Sequence, residues 1–209
     1  RLAAEQDVVV VTVNYRLGAL GFLHVGTGED GVANCGLRDQ LAALRWVHEH
    51  AAAFGGDPDR ITVVGESAGG GSVLHLVAGR ADPPVRRAIV QSGEPRVLDP
   101  EKAAAVRAAL CETLGVPDGP DALAALRAVP ASAVVAAQGA VFARLGVATG
   151  LMPFHPTIDA DPATAIVDGD PRAGFAAGRG RSIDLIVGTT RDELRLFRDP
   201  RAAGIADAD

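Results

Sequence analysis

Ile61-Thr62-Val63-Val64-Gly65-Glu66-Ser67-Ala68-Gly69-Gly70 is the stretch that decides the fold. A short apolar run rich in β-branched residues leads straight into a serine with glycines two positions before and two after it. A helix-compatible stretch follows. The apolar run has the look of a strand buried on both faces. A serine hydroxyl is a poor nucleophile until a base removes its proton and geometry exposes it. The G-x-S-x-G pattern, set between strand and helix, supplies a sharp turn that lifts the serine oxygen above the sheet. Gly65 is expected to allow the tight turn, and Gly69 to let the helix start pass close to neighbouring strands. The turn also leaves the backbone N–H of Ala68 at a helix N-terminus, where it can hold a developing oxyanion. Ser67 is therefore the candidate nucleophile and Ala68 the candidate oxyanion donor. The plainer alternative is a structural βα turn, and the strand before and helix after Ser67 argue against it.

Outward from this stretch, Val8–Val13, Ala88–Val90 and Ile183–Val187 read as further buried strands. A helix is predicted from about Leu37 to Phe54, with Leu37, Leu41, Leu44 and Ala51 on one stripe, Asn34 as N-cap and Gly55-Gly56 as the stop. Residues 16–33 read as a long loop. Strands alternating with helices predict an α/β fold, a mostly parallel sheet with helices on both faces. After Ser92 the pattern changes. Asp99-Pro100-Glu101 opens a helix with a cap residue, a proline at the first helical position and an acid at the positive end of the helix dipole. That helix runs through Ala103–Leu114 to Gly115. Pro120–Val129 and Ala131–Gln138 predict two short helices, so this region is expected to be a helical cap. Residues 160–182 read as mostly loop with one helical turn.

Composition narrows the function. Over 209 residues the chain is 48% hydrophobic and 22% charged, the range of a soluble globular protein long enough for a sizeable core. A net charge of -6 gives no basic patch, which argues against nucleic-acid binding. Lys102 is the sole lysine among the 20 basic residues. With abundant Ala and Gly, that bias is the composition of a GC-rich bacterial genome. No apolar run reaches the roughly 18–20 residues a bilayer span needs. No signal peptide is visible, and the expected compartment is the bacterial cytoplasm or the outside of the cell, with a lean to the former. Cys35 and Cys111 are either two free thiols or one bridge. No Cys/His spacing resembles a metal site. His48 and His50, two apart on a helix, do not share a face.

Several motifs in order carry a resemblance. Asn14-Tyr15-Arg16-Leu17-Gly18 is followed by Asn34-Cys35-Gly36-Leu37-Arg38-Asp39-Gln40, Phe54-Gly55-Gly56-Asp57-Pro58, the Ser67 turn with Gly70, and Gln91-Ser92-Gly93. The series returns at Pro153-Phe154-His155-Pro156 and Gly188-Thr189-Thr190-Arg191-Asp192-Glu193. The chain resembles the type-B carboxylesterases, the family of bacterial para-nitrobenzyl esterases and cholinesterases. The likeness is dense from about Val8 to Pro95 and thinner beyond. It implies the α/β-hydrolase fold, a serine carboxylesterase acting on small-molecule esters through an acyl-enzyme, and no cofactor.

It also implies roles. In the family the triad runs Ser, Glu, His along the chain. Ser67 matches the nucleophile and Glu193 the acid that orients the histidine and stabilises its charged form. Asp192, next door, reads as a structural or surface acid. Glu66 lies beside the site, placed to act on its electrostatics, and Ser92 matches a serine that supports the acid. Both are read as structural rather than chemical. Arg16 and Asp39 are expected in buried polar networks, since a buried charge needs a partner. None of the five histidines, His24, His48, His50, His75 and His155, follows Glu193. His155 is a stand-in base only by departing from the family order. The Gly-rich oxyanion segment of the family does not occur in residues 1–7. The expectation is thus an internal piece of a longer protein, incomplete at both ends. Residues 1–95 would be the sheet core, 96–182 a mostly helical cap with loops, and 183–209 a strand and the acid loop. The alternatives are a non-catalytic cholinesterase-like binding domain and a truncated pseudoenzyme.

Overall fold

The structure is a computed structural model and describes residues 1–26, 31–146, 148–149, 152–159 and 161–193. Its sheet has three strands in the order β1 (Thr62–Glu66), β2 (Arg87–Gln91) and β3 (Asp184–Gly188), all parallel. In register, Val63, Ala88 and Leu185 share one level, as do Gly65, Val90 and Val187. Parallel neighbours need crossovers, and helices provide them. Helix α4 (Ala68–Ala78) makes the first. Its Val73, Leu74 and Val77 cover Ala88 and Val90, both 0% exposed. The opposite side of α4 faces α3 (Cys35–His50) through Leu76, Leu37 and Leu41. Burial on both sides explains why α4 is apolar from Val73 to Ala78 except for His75.

The second crossover is the long helical region. It comprises α5 (Pro100–Leu114), α6 (Ala122–Arg127), α7 (Ala131–Leu145) and α8 (Pro171–Ala176). Val106, Leu110 and Cys111 of α5 meet Val134, Ala137 and Val141 of α7 in a separate core. Ala19 and Leu23, from α2 (Gly18–Phe22) and the residue after it, join the same core. Gln138 of α7 accepts the Ala19 N–H at 3.1 Å and so caps α2. Asp99 caps α5 as its sequence predicts, accepting the Lys102 N–H at 2.9 Å with Pro100 behind it. A five-residue helix, α1 (Leu2–Gln6), precedes these elements.

Several expectations need correction. Val8–Val13 joins no ladder among the described residues, and its five valines are 44–49% exposed rather than buried. A strand exists only by its neighbours' hydrogen bonds, however β-prone its side chains are. Residues 16–33 are not all loop, since they contain α2 and an antiparallel bridge between Val25 and Val32; 27–30 lie outside the described residues. The helix predicted to reach Phe54 ends at His50 and tightens into a 3₁₀ turn over Ala51–Phe54. Asn34 holds the N-cap position at φ 53° but makes no capping bond. Its side chain instead pairs with the Thr157 backbone, donating to the carbonyl at 2.7 Å and accepting from the N–H at 3.0 Å. Helix α7 outruns its predicted end at Gln138 by two turns. Cys35 and Cys111 are both free thiols.

Candidate active site

Because the three strands are parallel, their C-terminal ends lie along one edge of the sheet. That edge is where open α/β sheets bind ligands. The chain leaves it at three points. Ser67 follows β1, Ser92 follows β2, and the 189–193 loop follows β3. The Ser67 N–H donates to the Gln91 carbonyl at 2.8 Å, and the Ser92 N–H to the Gly188 carbonyl at 2.7 Å. Each strand is thereby held to its neighbour one residue past its end. Both serines have positive φ, 53° at Ser67 and 51° at Ser92. With ψ at -118°, Ser67 turns the chain abruptly from strand to helix, and the residue is exposed. Ala68 is the first residue of α4, whose opening N–H groups have no acceptor within the helix.

Close glycine contacts make the turn possible, though not the pair that the sequence suggests. A Cβ on Gly65 would lie 2.3 Å from the Gly69 carbonyl, so β1 and the first turn of α4 touch there. A Cβ on Gly70 would lie 2.8 Å from Gly93 Cα, and one on Gly93 2.6 Å from the Gly70 carbonyl carbon. Gly69 itself has nothing within 4 Å of a built Cβ. The close approach expected of Gly69 therefore belongs to Gly70. The helix turns about 100° per residue, so the position facing β2 is one residue further on.

Glu193 accepts the Thr190 N–H at 2.8 Å and the Ser92 hydroxyl. These bonds, Ser92 first, hold its carboxyl below the usual range. Asp192 is exposed. Glu66 ends β1 in register with Gln91, with its side chain exposed. Ser67 follows β1, and Glu193 lies in the loop after β3, the next strand but one in the sheet. Among the described residues no histidine hydrogen-bonds either one. His75 lies two turns along α4 from Ser67, 2% exposed, and donates from Nε2 to the Arg96 carbonyl; burial lowers its pKa. His155 Nδ1 donates to the Met152 carbonyl at 2.5 Å, and burial lowers its pKa too. His50 stacks on Trp46 at 4.5 Å between centroids, and His48 lies exposed in the same turn of α3. His24 has both ring nitrogens buried and unpartnered, and burial favours its neutral form.

Further groups support the edge. Ser72 donates to the Ala68 carbonyl at 3.0 Å and accepts from Gln40 of α3 at 3.4 Å, which ties α3 to the first turn of α4. Arg16 and Asp39 pair as expected, Arg16 Nη2 to Asp39 Oδ1 at 2.6 Å. Their side chains are 52% and 27% exposed, so this pair is not buried: it flanks the open Val8–Val13 run. The strong buried carboxylate is one the sequence reading missed. Asp159 accepts the N–H groups of Ile166 and Val167, each at 2.8 Å, and Arg38 Nη2 at 3.0 Å. Its partners lie in a loop without periodicity and 121 residues away, so no local pattern announces it. A cavity of about 410 Å³ lies past the end of β2, among Glu94, Arg96, Lys102, His155, Asp170 and Arg172. Arg96 pairs with Glu94, Arg172 with Asp170, and Lys102 with Asp99, so its charges are balanced locally. Among the described residues no group of three or more His, Cys, Asp or Glu is arranged to hold a metal, and no helix is long and apolar enough to cross a membrane.

The sequence profile of the carboxylesterase family matches residues 1–205. The chain belongs to the carboxylesterase family. It is 41% identical over 204 residues to the para-nitrobenzyl esterase of Bacillus subtilis (strain 168), a match covering 96% of the chain and 40% of that protein. Among solved structures it superposes on a thermophilic PNB esterase with a TM-score of 0.82 at 38% identity, over all of the chain and 41% of the other. It also superposes on juvenile hormone esterase from Manduca sexta, solved with OTFP covalently attached. There the TM-score is 0.74 at 32% identity, over 88% of the chain and 37% of the other. The chain thus has the α/β-hydrolase fold of these proteins and spans about two fifths of their length.

Proposed function

We propose that this chain carries the nucleophile and acid of a serine carboxylesterase that hydrolyses small-molecule esters through an acyl-enzyme. The observation that carries the reading is the Ser67 turn on the same sheet edge as Glu193, whose carboxylate is held by Ser92 and Thr190. Ser67 Oγ attacks the ester carbonyl carbon as a base takes its proton. The carbonyl oxygen becomes an oxyanion, for which Ala68 N–H is one donor. The tetrahedral intermediate collapses, the alcohol leaves with a proton from the same base, and water repeats the sequence to release the acid. Glu193 holds the base and stabilises it when charged. Ser92 positions Glu193, and Glu66 adds negative charge beside the turn. None of the five histidines is the base in this reading, since none follows Glu193 as the Ser, Glu, His order of the family requires. The sheet and Ser67 turn, the helical cap over residues 96–182, and the strand and acid loop from 183 are the three working parts; residues 194–209 lie outside the described structure.

The test uses the full open reading frame that contains this sequence. With para-nitrophenyl butyrate, Ser67→Ala should lower kcat by about 10⁴–10⁶-fold. A variant that keeps most of its activity would remove Ser67 from the mechanism. The 209-residue chain assayed alone should show no Ser67-dependent turnover. Turnover near that of the full reading frame would make one of the five histidines the base.

A further inference from the structure

We draw no further inference here: the strongest candidate, the uncovered face of the sheet at Val64, Ile89 and Ile186 with the Val8–Val13 run that pairs with no strand among the described residues, is an unpartnered apolar surface, and nothing in the structure shows what covers it.

Discussion

At Ser67 the backbone takes φ 53° and ψ -118°, a conformation that L-residues other than glycine adopt at a cost of about 1–3 kcal/mol. Ser67→Gly should therefore stabilise the chain by about 1 kcal/mol, the strain relieved less the added freedom of the unfolded chain. Ser67→Ala should not stabilise it, because the Cβ remains. Urea unfolding of the two variants checks this, and equal midpoints would mean the turn is unstrained. At Glu193 the sign runs the other way from a buried acid. Its carboxyl is held below its ordinary value of 4.5 by Ser92 and Thr190, so the folded chain favours the charged form. Its contribution to stability is complete above the unfolded pKa and is lost as pH falls through the lower folded value. Ser92→Ala should raise the Glu193 midpoint toward 4.5, read by carboxyl carbon NMR across pH 2–6. An unmoved midpoint would show that Ser92 does not hold the acid. In the full reading frame, Glu193→Gln should cost about 10²–10⁴ in turnover and Asp192→Asn much less, since only the triad acid stabilises an imidazolium. The reverse order would place the acid one residue earlier.

Helix α4 and the segments 157–159 and 161–167 show what the sequence makes legible and what it does not. Strands near Ile61, Ala88 and Ile183, the Ser67 turn and the Asp99 cap were legible because each is written in neighbouring residues: a β-branched run, a glycine pair, a cap followed by proline. Which glycine packs closely past the end of β2 depends on helical phase and on a contact with Gly93, 23 residues on, so the local pattern points to Gly69 where the fold uses Gly70. The consequence is measurable. Gly70→Ala should destabilise by about 2–3 kcal/mol, because backbone atoms on both sides would have to shift. Gly69→Ala should stabilise by a few tenths to about 1 kcal/mol through helix propensity. The link from Asn34 to Thr157 was hidden in the same way, because Asn34 has the residue type of a cap and spends its side chain on a partner 123 residues distant. Asp159→Ala should cost about 3 kcal/mol, since it strands two buried N–H groups and unpairs Arg38. Arg38→Ala should cost less, because that side chain is 38% exposed and solvent already screens its charge.

The whole molecule has an uneven coat. One face of the sheet is sealed by α4. The other leaves Val64 at 56% and Ile186 at 64% exposure, and Trp46, Phe54 and the five valines of 8–13 are also open. Apolar surface beside an unpaired strand edge associates with more of its kind. The chain alone should bind ANS and form larger species as its concentration rises, more so in sulfate salts. Sedimentation velocity would check this, and a single monomer species at high concentration would contradict it. The parallel order β1-β2-β3 bears on time as well as on form. β1 and β2 are joined across one helix, whereas the register that sets Arg87 beside Asp184 closes a loop of about a hundred residues around the entire helical cap. Local closures are fast and distant ones slow. A ribosome delivers the Ser67 turn complete with its helix and neighbouring strand long before it delivers Glu193, so the nascent chain should hold an ordered serine with no ordered acid. Pulse-labelled hydrogen exchange during refolding should protect the amides of Val63–Gly65 and Ala88–Val90 before those of Leu185–Val187, and the serine and acid are then born as strangers, introduced only when the last strand docks.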